Sequence, residues 1–285
     1  MLADMGTLTL FFGLTFLVSW AAWIAASALS PGAPAAGAGL PLFYLGVFTP
    51  GIVALALTRR ESGPAGLKAL LGRLVQWPAG GVRWLVFALG YMAAVKLTAA
   101  LVHRALLGAW PAFTTQPWIL LFAAAVLSTV AGGQVGEELG WRGFALPRLE
   151  ARLGLRAGGV LLGAVWAAWH LPLFLIAGTN TTGQSFPFYL AQVTALSVAL
   201  AWLWHRTGRS LLPVMLLHAA INNTKDIVTS VPAVPPGSPF VVYGTPVGWI
   251  TLALLWIAAA WFLASMPSRF RTAPAHSGGA VPPAS

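Results

Sequence analysis

Apolar residues run through the chain in eight blocks: 7–29, 40–58, 82–107, 118–141, 157–177, 186–204, 210–228 and 247–265. Pro/Gly-rich stretches at 31–41 and 232–246, and a shorter one from Gly178 to Gly183, punctuate them. A helix needs about 20 predominantly apolar residues to cross the hydrocarbon core of a bilayer. The pattern therefore predicts an all-α, polytopic membrane fold with about eight transmembrane helices. The first block is too long for a signal-peptide core, and Asp4 stands before it with no Lys or Arg, so it reads as an uncleaved span. No internal repeat is evident. The blocks group into an N-terminal three-helix region (1–114), a core (115–228), a loop with the last helix (229–266) and a disordered cytoplasmic tail (267–285).

Composition agrees with that reading. The chain is 58% hydrophobic and 8% charged, against about 25% charged in soluble proteins. The net charge of +10 is not read as a nucleic-acid signal, because the basic residues lie between apolar blocks. With eight spans, one side receives Arg59, Arg60, Lys68, Arg73, Arg83, Arg142, Arg148, Arg152, Arg156, Arg206, Arg209, Arg269 and Arg271. The other side receives Arg104 and Lys225, and Lys96 falls inside a span. The positive-inside rule then predicts a multi-pass cell-membrane protein with both termini in the cytoplasm. Arg outnumbers Lys 13 to 3, which points to a GC-rich bacterial genome. The absence of cysteine excludes disulfides, thiolate catalysis and cysteine-ligated zinc.

Against this background the stretch GGQVGEELGWRG at 132–143 stands out, since it holds two of the six acidic residues. A charge at the centre of a membrane helix costs roughly 2.5–3.5 kcal/mol on insertion scales. Three unpaired charges would cost about 7–10 kcal/mol, comparable to the whole stability of a fold. Glu138 and Arg142 are four apart and share a helix face, so they can neutralise each other. Glu137 is turned about 100° away and is the carboxylate left over.

Other intramembrane polar residues repeat the four-residue spacing: Trp166 with His170, and His218 with Asn222. For straight helices, Glu137, His218, Asn222 and His170 lie roughly 12–18 Å from the basic ends of their spans, which brings them to one layer. Each has a plainer reading. Glu138 with Arg142 can be a structural pair, His170 can bond a carbonyl, and Asn222 can join helices. Trp141 and Trp169 read as packing or interface anchors, and Gly132, Gly133 and Gly136 as sites of close helix approach. Lys96 can snorkel or meet a carboxylate, while His103 and Arg104 reach the outer interface.

Amide hydrolysis needs an activated water and donors for the developing oxyanion. Glu137 with His170 can supply the first, His218 and Asn222 the second. Two facing intramembrane aspartates, an H-E-x-x-H helix and a G-x-S-x-G elbow are all absent.

Glu137-Glu138-Leu-Gly-Trp-Arg142 resembles the E-E-x-x-x-R motif of the CAAX-protease and bacteriocin-processing family, also abbreviated CPBP or Abi. Trp166 to His170 resembles its aromatic-x-x-x-His motif, in which Phe is the commoner aromatic, and His218 to Asn222 its H-x-x-x-N motif. The resemblance spans roughly 115–225 and implies a glutamate-dependent intramembrane endopeptidase acting on a peptide or protein substrate. It implies that Glu137 and His170 activate water, that His218 and Asn222 stabilise the oxyanion, and that Glu138 and Arg142 support the site or orient substrate. Trp166 is placed as a substrate contact. Members are commonly labelled metalloproteases. Glu137, His170 and His218 suit a divalent metal such as zinc, and also suffice as base and donors without one. Two other readings stay open: a proton-coupled transporter, since membrane carboxylates and histidines also relay protons, and a catalytically silent immunity or scaffold protein on the same fold.

Overall fold

The computed structural model describes residues 2–230 and 237–267. The tail expected to be disordered lies, from residue 268, outside the described residues, as do residues 231–236 of the loop before the last helix. The long helices are α1 (Leu2–Leu29), α2 (Leu40–Val75), α3 (Arg83–Leu107), α4 (Trp118–Ala131), α6 (Leu146–Trp169), α7 (Phe186–Arg206), α8 (Leu212–Thr224) and α9 (Pro246–Ser265). Between α4 and α6 stand a short α5 (Gln134–Glu138) and a π-helical segment, Leu139–Ala145. No strand occurs among the described residues; Phe113 and Val228 form an isolated antiparallel bridge. The protein is all-α and polytopic.

Among the described residues, five helices are long and apolar enough to cross a membrane: Gly6–Leu29, Gly37–Val75, Arg83–Leu107, Phe186–Arg206 and Pro246–Ser265. A sixth is reached if Trp118–Val130 and Gln134–Trp169, bent by 54°, count as one span. The expected eight blocks differ from this for local reasons. The block 118–141 is interrupted at Gly132, whose extended backbone (φ −91°, ψ 175°) ends α4. The supposed loop carrying Arg148 and Arg152 is helical, and α6 runs through it with a break at Gly154 (φ 77°). The block 210–228 holds only the 13-residue α8. Conversely, α2 continues past its apolar block to Val75 across a break at Gly63 (φ 62°).

The connections collect at two ends. At one end Leu211 N donates to Arg73 O at 2.9 Å, Gln76 Nε2 to Gly208 O at 3.0 Å, and Arg156 to Met266 O at 2.6 Å. Glu61–Arg148 and Glu150–Arg209 ion pairs, 2.6 and 3.0 Å, bridge segments there. At the other end Ser185 Oγ donates to Val241 O at 2.6 Å and Thr114 N to Ile227 O at 3.0 Å. Arg73, Arg148, Arg156 and Arg209 thus gather at one end, whereas Arg142, grouped with them along the sequence, lies in the buried cluster described below. Lys96, deep in α3, donates to Ser230 Oγ at 2.8 Å, and His103 reaches Ala109 O at 2.9 Å at the opposite end.

Packing behind the site is aromatic. Trp141 and Trp169, expected as packing residues, are fully buried. Their rings lie 5.5 Å apart. Phe11 of α1 meets Trp141 at 5.7 Å and Trp23 meets Trp169 at 4.7 Å. Trp20 Nε1 also donates to Trp169 O at 2.9 Å, closing one of the carbonyls left open at the end of α6. Lipid tails are as apolar as these rings, so shape and dispersion rather than water exclusion hold the column together.

Candidate active site

The site begins with glycines. α5 lies against α2 at backbone distance: a Cβ on Gly136 would come within 2.5 Å of Phe48 Cδ1 and 3.0 Å of Phe48 Cα. One on Gly140 would stand 2.6 Å from the Pro50 carbonyl carbon. Gly136, expected as a point of close approach, is one; Gly133 likewise abuts Val47. The wider π turn that follows is a form that recurs at functional sites. Here it starts at Leu139, one residue after the paired glutamates, and carries Arg142 inward.

Glu138 and Arg142 form the expected pair, with Arg142 Nη1 3.0 Å from Glu138 Oε1 and 3.2 Å from Oε2. Both side chains are fully buried. Two charges withdrawn from water repay the desolvation cost only when their remaining bonding positions are filled. Three helices answer most of them, although Arg142 Nε has no hydrogen-bond partner among the described residues. His218 Nδ1 of α8 lies 2.8 Å from Glu138 Oε1. Arg142 Nη2 donates to Ser197 Oγ of α7 at 3.0 Å, and Ser197 donates onward to Gly159 O at 3.0 Å. The guanidinium stacks 4.6 Å over the Trp166 ring.

Glu137 is held differently. Trp166 Nε1 donates to its Oε2 at 2.8 Å, and Oε1 has no hydrogen bond among the described residues. Glu137 is 7% exposed and Glu138 0%, so Glu137 alone of the two can meet a water. Trp166, placed from the sequence as a substrate contact, is buried and touches Glu137, Arg142 and the His218 ring, whose centroid is 5.0 Å away.

The partners of the two histidines set their tautomers. A carbonyl can only accept, so His170 Nδ1, 2.9 Å from Trp166 O, carries the proton and leaves its Nε2 lone pair free. The Glu138 carboxylate imposes the same arrangement on His218. Nε2 of His218 therefore accepts when the ring is neutral and donates only when it carries a second proton. His170 is partly exposed and also packs against Tyr189, at 5.6 Å. With two carboxylates and one guanidinium, the cluster holds one negative charge in excess while both rings are neutral, so one added proton neutralises it.

Asn222 lies one turn beyond His218 on α8 and is exposed. Its neighbour Asn223, which the sequence did not single out, ties α8 to the end of α4 through Ser128 Oγ at 3.1 Å. Ser197 was missed as well. Its trace in the sequence is the spacing Ser197-x-x-x-Ala201 opposite Gly159-x-x-x-Gly163, small residues that let α6 and α7 approach. A Cβ on Gly163 would lie 2.7 Å from Ser197 Cβ. Among the described residues no three His, Asp or Glu side chains are grouped to hold a metal ion. Glu137, His170 and His218 do not form such a set here.

The comparisons with known proteins fall on these same residues. Residues 115–224 match the type II CAAX prenyl endopeptidase Rce1-like family. Over 234 residues the chain is 22% identical to a protein of Methanococcus maripaludis named CAAX prenyl protease 2, covering 77% of this chain and 84% of that one. The matched segment holds the glutamate pair, Arg142, Trp166, both histidines and Asn222, and both matches support the resemblance to the CAAX-protease and bacteriocin-processing family.

Proposed function

We propose that the chain is an intramembrane endopeptidase in which Glu137 and His170 activate the attacking water. The observation that carries this is the unequal treatment of the adjacent glutamates: Glu138 is sealed between Arg142 and His218, while Glu137 keeps an oxygen and some accessible surface free. Glu137 Oε1 takes a proton from water, with Nε2 of His170 as the second acceptor. The hydroxide oxygen bonds to the scissile carbonyl carbon and the carbonyl electrons move to oxygen. Doubly protonated His218, through Nε2–H, and the Asn222 amide donate to that oxyanion. Collapse breaks the C–N bond, and the proton held by Glu137 passes to the departing amine. Glu138 and Arg142 orient His218 and do not touch substrate. By the positive-inside rule the basic end faces the cytoplasm, and the substrate is a peptide segment reaching the site from the bilayer or its surface.

The test is hydrolysis of a quenched-fluorescent peptide library by the purified protein in detergent or liposomes, with and without a chelator. Removing a general base costs about 10²–10⁴ in rate, so Glu137→Gln should lose at least about 100-fold with expression and unfolding temperature unchanged. Cleavage by that variant at the wild-type rate overturns the assignment.

A further inference from the structure

At the basic end, away from the cluster, two arginines converge on one indole. Arg83, the first residue of α3, has its guanidinium carbon 5.1 Å from the centre of the Trp84 ring. Arg206, the last residue of α7, lies 5.9 Å from Trp84 and 5.9 Å from Trp202. Stacking on aromatic faces attracts each cation, but it does not remove the repulsion between two like charges held at one ring. No described carboxylate answers them. Glu61 is taken by Arg148, Glu150 by Arg209, Asp226 by Lys225, and both site glutamates are committed.

A second, independent feature points the same way. Trp84 is 9% exposed, and its Nε1 is a buried donor with no partner among the described residues. The indole N–H and the Arg83 guanidinium meet beside Gly80, where a Cβ would lie 2.6 Å from both Trp84 Nε1 and Arg83 Nη2. Gly80 has φ +87°, a conformation that side-chain-bearing residues rarely adopt, and its missing Cβ is what lets the Arg83 guanidinium and the indole N–H meet there. Unanswered donors and two uncompensated cations call for an anion.

Depth selects which anion. Arg83, Arg206 and Ser265 are the terminal residues of three membrane-spanning helices, so the cluster lies at headgroup level. Beneath it the surface is apolar and open: Val86 is 67% and Trp261 60% exposed, and the Trp261 ring lies 5.6 Å from Trp202. We propose that Arg83 and Arg206 bind the phosphate of an anionic phospholipid, whose acyl chains lie along Val86 and Trp261. Guanidinium groups match phosphate oxygens in paired hydrogen bonds, and the local lipid charge adds attraction at this depth.

The full-length protein, delipidated in a neutral detergent, would be titrated with phosphatidylglycerol, phosphatidylcholine and inorganic phosphate, reading bound lipid by native mass spectrometry and stability by thermal unfolding. Phosphatidylglycerol should bind and raise the unfolding temperature; phosphatidylcholine should do neither. The double variant Arg83→Gln/Arg206→Gln should weaken phosphatidylglycerol binding at least tenfold while its helical circular dichroism stays unchanged. The exposed pair Arg59→Gln/Arg60→Gln removes the same charge nearby and should leave binding intact. Equal losses in the two double variants, undiminished binding in the first, or saturation by millimolar inorganic phosphate in place of lipid would each overturn the proposal.

Discussion

Glu138 and His218 stand 80 residues apart in sequence and 2.8 Å apart in space, Oε1 to Nδ1, at the meeting of α5 and α8. The same carboxylate neutralises Arg142. One side chain therefore balances a buried cation and fixes which nitrogen of the histidine faces the site. Glu138→Gln removes the charge and leaves Arg142 fully buried without its counter-ion. Breaking a buried pair from one side costs about 3–5 kcal/mol. Thermal unfolding in detergent should show a large fall for Glu138→Gln and almost none for Glu137→Gln. Equal unfolding temperatures would refute the division of labour between the two glutamates.

Trp166 contributes an N–H to Glu137 and a ring to Arg142. Trp166→Phe separates these roles, since it keeps an aromatic face beneath the guanidinium and deletes the donor. Hydrogen bonds to charged groups are worth about 1.5–3 kcal/mol. The turnover rate should fall about tenfold or more, with KM little changed because Trp166 is buried. A rise in KM at constant kcat would instead support the substrate-contact role that the sequence suggests.

Much of this site was legible in advance because it rests on helical periodicity. The Glu138–Arg142 pair and the turning of Glu137 away from it follow from 3.6 residues per turn. Helix ends at 29, 107 and 265 also fall where the apolar blocks stop. What escaped depends on backbone events with no periodic signature. Gly132 and Gly133 suggest close approach equally well whether the helix bends there or runs straight. The π turn at 139–145 packs its Trp141 on Phe11 of α1, some 130 positions away, a contact that no local pattern announces. Arg148, Arg152 and Arg156 mark a membrane boundary, but charge does not reveal that the chain remains helical through it. The Trp166–Glu137 bond joins two motifs that the sequence shows only separately.

Ser197 gives a third prediction. Its hydroxyl accepts from Arg142 and donates to Gly159 O, so it anchors the guanidinium to the α6–α7 seam. Ser197→Ala leaves Arg142 Nη2 buried with one partner fewer, at a cost of about 1–3 kcal/mol. The seam is too tight for a bulky replacement, with Gly163 directly opposite. Ser197→Val should therefore destabilise more than Ser197→Ala, through overpacking as well as the lost bond. Chemical or thermal unfolding ranks the three proteins, and a Val variant as stable as Ala would contradict the close approach.

The glycines supply the last prediction. A Cβ on Gly140 would meet the carbonyl carbon, Cβ and carbonyl oxygen of Pro50 at 2.6, 2.6 and 2.7 Å. These atoms belong to a backbone and a rigid ring, so no flexible side chain can swing aside. α2 must shift outward, and Glu137 and Glu138 lie within the preceding turn. Gly140→Ala should lower stability by about 1–3 kcal/mol, the usual cost of overpacking, and should reduce cleavage through displaced carboxylates. Gly90, in the middle of α3, offers the control, because nothing lies within 4 Å of its added Cβ. There alanine replaces a poor helix former at no steric cost, and Gly90→Ala should be neutral or stabilising by roughly 0.5–1 kcal/mol. If the two substitutions moved the unfolding temperature alike, contact between the α2 backbone and the π-helical segment could not be what holds the glutamates in place.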